Sequence, residues 1–356
     1  MKVLVVSGIW PPDVGGPASH APEAASFLAA RGHRVQVLVT ASARPASEEF
    51  LVEWVPRSLP RGLRHARAVQ RAAALAGGAD VVYATGMFGR SSAGALLARR
   101  PLVLKLTADP AYERARRAGL FAGSLADFQH ERSPRTLPFR AGRDAVVRRA
   151  AYVVCPSAFL RELTLGWGAD PERVSVLPNP APAANGLPPR EELRARLALD
   201  RPTLVFAGRL TAQKSLEVAF AAVERAGVDL LVAGEGPERA SLERQAGPTV
   251  RFLGPQPRSR VLELYRAADA ALLSSAWENF PHAVVEALAV GTPVVSTDVG
   301  GVSEVVEDGV NGALAPPGEP EELAAAIARA LGDAERLRAA AAPSVERYAP
   351  ERIYER

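Results

Sequence analysis

Two cations five residues apart, Arg209 and Lys214, come after the short apolar run Thr203–Ala207. The chain has only three lysines (Lys2, Lys105 and Lys214) against 40 arginines. A guanidinium offers phosphate oxygens a planar fork, and an ammonium places a compact point charge beside it. Together they could neutralise a departing diphosphate without a metal ion. Alternatively, Arg209 pairs with a neighbouring carboxylate and Lys214 stands in solvent at a helix start. Two acids, Glu278 and Glu286, straddle a loop-to-helix transition, with Pro281 suited to the first helical turn. Glu286 is then a lone carboxylate in the apolar stretch 283–288. Buried, it would need donors, and a ribose diol supplies two; a surface position or an ion pair is the competing reading. Glu278, in the loop, could meet sugar hydroxyls or simply stand at the helix N-terminus as a favourable acid.

Paired glycines free backbone amides to approach an anion or a sugar. Gly15-Gly16 precede a helix expected from Pro17, and Gly300-Gly301 are expected to open another at 302–304. An ordinary tight turn explains either pair equally well. There is no G-x-G-x-x-G, Walker loop, D-x-D, H-E-x-x-H or G-x-S-x-G. The five histidines show no ligand spacing, so no metal and no cofactor is expected.

These residues need elements to hold them. Apolar runs alternating with Ala/Arg-rich stretches predict βαβ units and parallel sheets. The first half carries strands expected at 3–7, 35–40, 52–55, 80–84, 102–107, 152–155 and 174–177. The second half carries them at 203–207, 229–233, 250–253, 270–274 and 293–296. Helices are expected between strands, including 17–30, 62–75, 191–198 and 320–331. Pro343 is expected to interrupt the region beyond 331, and a short helix to end the chain. Ligands of open parallel sheets bind beyond strand carboxyl ends. Gly208-Arg209, Gly234-Glu235-Gly236, Glu278-Asn279-Phe280-Pro281 and Gly300-Gly301 all fall at such ends.

A length of 356 residues suggests two domains. We read 1–180 as the first, 181–200 as a Pro/Ala-rich linker and 201–356 as the second, with the last helix able to pack back on the first. The architecture expected is α/β: two doubly wound, Rossmann-like parallel-sheet domains facing across a cleft. With 48% hydrophobic and 23% charged residues, the composition is that of an ordinary globule. Lone Cys155, no leader pattern and no long apolar stretch point to a cytoplasmic protein. Residues 1–180 hold 24 Lys/Arg against 14 Asp/Glu, and the rest 19 against 25. The basic half, with arginines at 114, 116, 117, 148 and 149, suggests an anionic or lipid-linked partner and peripheral contact with the inner membrane face. No nucleic-acid motif is present, so no nucleic acid is expected. Scattered solvated arginines explain the charge as simply.

Taken together these residues resemble glycosyltransferase family 4, retaining enzymes of the GT-B fold. The likeness rests on Gly208-Arg209-Leu210 with Lys214, the stretch from Gly234 to Arg239, Tyr265–Asp269, Glu278–Pro281 through Ala289, Gly291–Val295, and Gly300-Gly301 with Glu304. It implies a metal-independent transferase using a UDP- or GDP-linked sugar donor, the nucleotide being substrate and not cofactor. Arg209 and Lys214 would hold the diphosphate, Glu286 the ribose, Glu278 the sugar, and the amides of Phe280–His282 the sugar or phosphate. Gly208, Glu235 and Asn279 would complete the donor site, and Gly15 and Gly16 would line the acceptor side. Three departures stand out. The family's usual histidine after the strand at 102–107 is missing, and Asp109 is a candidate to replace it. Ser215 stands where glycine is usual, and Pro178-Asn179-Pro180 where Pro-Asn-Gly is. A sugar-nucleotide epimerase or an inactive nucleotide-sugar-binding homologue are the alternatives.

Overall fold

A computed structural model describes residues 1–11, 16–45, 50–182, 184 and 186–355, with backbone alone at 16–20. The chain divides into two compact units, Met1–Pro178 and Asn179–Arg356. The first unit holds seven parallel strands: β1 (Lys2–Ser7), β2 (Arg34–Ala41), β3 (Leu51–Pro56), β4 (Val81–Ala84), β5 (Leu102–Lys105), β6 (Tyr152–Cys155) and β7 (Val174–Val176). Their order is β3-β2-β1-β4-β5-β6-β7. The second unit holds β8 (Thr203–Ala207), β9 (Asp229–Ala233), β10 (Val250–Gly254), β11 (Ala270–Leu273), β12 (Val294–Thr297) and β13 (Gly312–Ala315). Their order is β10-β9-β8-β11-β12-β13, again all parallel.

The strands form where apolar residues run without polar alternation, because helices cover both sheet faces. Leu204, Val205 and Phe206 of β8 and Leu230 and Val232 of β9 are essentially inaccessible. Each sheet reverses its winding once, at β1/β4 and at β8/β11. At such a switch point the loops leaving neighbouring strands diverge and open a crevice at the strand carboxyl ends. In the second unit those loops carry Lys214 and Glu278.

Three features depart from the sequence reading. The segment 300–304 is a set of turns, not a helix: Val302 N bonds Val299 O and Val306 N bonds Val302 O, and no regular ladder continues from them. Pro343 does not interrupt the final helical region. It lies one residue from the end of the helix Ala334–Ser344, so the bond an N–H there would have made to Ala339 O is forgone in the last turn, and the helix stops directly after it. The edge strand β13 was not expected, since Gly-Ala-Leu-Ala has little strand propensity. Gly312 is required there, because a Cβ would sit 2.2 Å from Val294 O on β12. Residues 181–200 fall within the second unit, where the helix Arg190–Leu197 packs on the helix Arg258–Ala267. Among the described residues no helix is long and apolar enough to cross a membrane.

Candidate functional site

Gly208 continues β8 into a loop whose backbone is tied to the loop after β9. Gly208 N donates to Ala233 O at 3.0 Å and Leu210 N to Glu235 O at 3.0 Å. So close an approach demands glycine at 234: its φ is +147° and a Cβ would fall 1.8 Å from Gly208 O. The loop ends in a short 3-10 turn, Ala212–Lys214, and Ser215 comes next in a left-handed conformation (φ 43°, ψ 48°). That conformation is the physical reason a glycine would suit position 215.

The loop after β11 is stitched to this turn. Ala276 N donates to Gln213 O at 2.8 Å, Gln213 Nε2 to Trp277 O at 2.8 Å, and Ser274 Oγ to Lys214 O at 2.7 Å. The ammonium of Lys214 thereby meets the carboxylate of Glu278, and the two form a part-buried ion pair. Ser275 Oγ donates to the same Glu278 oxygen at 2.7 Å, and Thr297 Oγ1 anchors Ser275 O at 2.7 Å. Ser274, Ser275 and Gln213 are positioning residues that the sequence reading missed. Their one visible signal was a pair of serines closing an apolar run.

Next to Glu278, Asn279 is buried and its Oδ1 has no hydrogen-bond partner. Phe280 is buried edge-on to Tyr348, with ring centroids 5.8 Å apart. Pro281 is the N-cap of the helix His282–Ala289 and not, as expected, part of its first turn. Asn179 Nδ2 donates to His282 Nε2 at 2.7 Å, and the buried Asn179 Oδ1 lacks a partner.

The remaining candidates divide. Arg209 is exposed and makes no hydrogen bond or ion pair among the described residues. Glu286 is partly buried and paired with Arg258, whose Nε lies 3.0 Å from Oε1. Glu235 bonds Arg239 at 2.7 Å and the Gly236 amide at 3.2 Å, and the Arg239 hydrogen bond above all holds its carboxyl below the usual range. Gly16 opens the helix Gly16–Ala30, and Gly15 lies outside the described residues.

Asp109 has a structural task in the first unit that weighs against its proposed contact with a sugar. It is the N-cap of the helix Pro110–Arg117, accepting from Ala111 N at 2.8 Å and Tyr112 N at 3.2 Å. Its other oxygen takes Arg143 Nη1 at 2.6 Å and Gln129 Nε2 at 3.2 Å. The carboxylate is inaccessible, and Arg143 stacks on Trp167 at 4.2 Å. Among the described residues no three His, Cys, Asp or Glu side chains converge as metal ligands.

Residues 15–180 match the family model described as "Glycosyl transferase 4-like domain", and residues 189–344 match "Glycosyl transferases group 1". A D-inositol 3-phosphate glycosyltransferase of Nocardia farcinica is 34% identical over 58% of this chain; the match spans about half of that relative, 50% of its length. A glycogen synthase of Mycobacterium tuberculosis is 30% identical over 94% of this chain and 86% of its own. Among solved structures, Anabaena HepE in complex with UDP-glucose superposes with a TM-score of 0.78 at 23% identity, covering 100% of this chain and 97% of that one.

Proposed function

The chain belongs to the family 4 type of glycosyltransferases and has the two parallel-sheet units of the GT-B fold, and from that premise we propose that it is a retaining, metal-independent transferase using a nucleotide-diphosphate sugar. One observation carries the reading: Lys214 and Glu278 meet at the sheet's switch point, beside the unpaired guanidinium of Arg209. A diphosphate entering there takes Lys214 and Arg209 as counter-charges. Glu278 is thereby released to accept hydrogen bonds from sugar hydroxyls, with Asn279 Oδ1 as a second acceptor. Glu286 serves the ribose, and the amides of Phe280 and His282 the phosphate or sugar, Pro281 between them having no N–H to give. In transfer, the bond from the anomeric carbon to the diphosphate oxygen breaks and a bond to the acceptor oxygen forms on the same face. The acceptor proton passes to the leaving diphosphate.

The relative solved with UDP-glucose makes a uridine donor the first to test, with GDP-linked sugars the second. For the acceptor we favour a phosphate-bearing molecule, free or lipid-linked. Arginines gather on the helices that come after β3, β4 and β5: Arg61 and Arg64, Arg90, and Arg114. Burial and then Arg90, Arg64, Arg114 and Arg61 hold the His65 imidazole below its usual 6.5. Arg90 is lowered to about 10 by burial and then by Arg64 and Arg114. Neither Arg90 nor Arg114 has an ion pair among the described residues. Gly16, which opens the helix after β1, is our candidate to line the acceptor side, and peripheral contact with an anionic membrane face suits the same charge.

The test is a thermal-shift screen of nucleoside diphosphates and their sugars, then transfer to phosphorylated acceptors with and without chelator and anomer assignment by NMR. Retention and indifference to chelator are expected. An inverted product, chelator-sensitive transfer, or donor epimerised without acceptor would each sink the corresponding part.

A further inference from the structure

A second basic pocket lies at the opposite end of the strands of the second sheet. It has a volume of about 340 Å³, and its wall includes Arg190, Glu191, Arg266, Gly291 and Arg338. Asp269 and Gly291 precede β11 and β12, so this pocket sits at strand amino ends, whereas Lys214 and Glu278 lie beyond strand carboxyl ends.

Positive charge is in excess here. Asp269 bonds Arg190 through one oxygen and Arg194 through the other, the latter at 3.0 Å, and also accepts Thr203 N at 2.8 Å. Glu191 is exposed. Arg266 donates to Val290 O at 3.0 Å, and Arg338 to Gly291 O at 3.2 Å and Ala268 O at 2.8 Å. These carbonyls close two helices, and a helix C-terminus carries about half a negative charge. Four guanidiniums therefore face two carboxylates, one of them in solvent, and two helix ends.

The donors are also under-used. A guanidinium has about five N–H groups. Arg190 and Arg266 make one hydrogen bond each to protein and Arg338 makes three. The Nε atoms of Arg190 and Arg266 are buried with no partner. Burial, then Arg190, with Arg266 and Arg194 adding and Asp269 opposing, lowers Arg338 to about 10. A like-charged cluster with orphaned donors is stabilised by an oxyanion that takes them in pairs.

We propose that this pocket is a second anion site, separate from the Lys214 site, and that it takes a phosphate or pyrophosphate group. Isothermal titration of the full chain with pyrophosphate at constant ionic strength tests it. In Lys214→Ala, which removes the ammonium at the other site, saturable binding is expected to persist. Adding Arg338→Gln is expected to weaken it at least tenfold, the scale of one charge-assisted contact. Arg266→Gln is expected to do the same and guards against a folding defect in the first variant. The phosphate could arrive on a lipid headgroup, so phosphatidylcholine vesicles containing phosphatidic acid form a second arm. Retention on vesicles that depends on Arg338, without a pyrophosphate response, assigns the lipid source. Pyrophosphate binding that depends on Arg338 assigns the soluble one. Absence of saturable binding to either probe, or binding indifferent to both substitutions in folded protein, overturns the site.

Discussion

Lys214 and Glu278, 64 residues apart, neutralise each other at the switch point of the second sheet. The pair is mostly buried, with 17% of the lysine side chain and 9% of the glutamate exposed. Removing either partner leaves the other charge part-buried and unpaired, quite apart from any effect on the proposed donor. Substitution at either position cannot be read as a pure loss of chemistry.

Lys214→Ala leaves Glu278 with the Ser275 hydroxyl as its donor, a cost of about 1–3 kcal/mol. Glu278→Gln should cost less, since an exposed fraction of Lys214 can find water. A thermodynamic cycle closed with the double variant, Lys214→Ala with Glu278→Gln, should show coupling of about 0.5–3 kcal/mol. The two variants should also separate in binding. UDP should bind Lys214→Ala at least tenfold more weakly, yet bind Glu278→Gln at least as tightly as the parent, because a competitor for the ammonium is gone. Both should transfer sugar at least a hundredfold more slowly. Weaker UDP binding in Glu278→Gln would count against the exchange of partners.

Asp109→Ala should destabilise the first unit. It removes a helix cap and one partner of a buried ion pair, leaving Arg143 with Asp144 alone. A loss of about 3 kcal/mol is expected, or roughly 10 °C in melting temperature. Asp109→Asn keeps the cap and should lie between. Transfer per folded molecule should fall by less than tenfold in either. A hundredfold loss with an unchanged melting point would restore the sugar-contact role.

The strands were legible because parallel strands buried on both faces are written as unbroken apolar runs. Tyr152–Cys155, Thr203–Ala207 and Asp229–Ala233 match residue for residue. Strand β13 was not, because an edge strand of small residues carries no such run. Gly300-Gly301 misled because paired glycines favour a turn as readily as a helix start. The partners in the site were out of reach for a different reason. Lys214–Glu278, Asp109–Arg143 and Asn179–His282 join residues 64, 34 and 103 positions apart. Such pairings depend on strand order, which no local pattern specifies.

Glu286 tests whether an existing ion pair and a ribose share one carboxylate. Its pairing with Arg258, whose side chain is 43% exposed, should contribute at most about 1 kcal/mol. Arg258→Ala should thus shift the melting point by no more than a few degrees and leave UDP affinity unchanged or improved. Glu286→Gln should weaken UDP about tenfold, and 2′-deoxy-UDP, which keeps one of the two hydroxyls, should be less sensitive to it. Equal loss for both nucleotides would assign Glu286 to structure alone.

Lys105 ends β5 fully buried, its Nζ bonded to Leu177 O. Burial lowers its pKa from 10.5 to about 7, with Cys155 opposing weakly. In the unfolded chain the same lysine stays protonated to about pH 10. Between pH 7 and 10 the unfolded state therefore binds more protons, so raising the pH favours the fold. Below about pH 7 both states are protonated and the penalty is constant. The Cys155 thiol is shifted up by burial and works in the opposite sense above pH 9. The clean window is pH 7–9, where stability should rise by about 2 kcal/mol, seen as an increasing urea midpoint at constant slope. Lys105→Met has no charge to desolvate and should flatten the rise, while giving up the bond to Leu177 O at a cost of about 1 kcal/mol. An equal rise in the methionine variant would show that some other group carries the pH dependence.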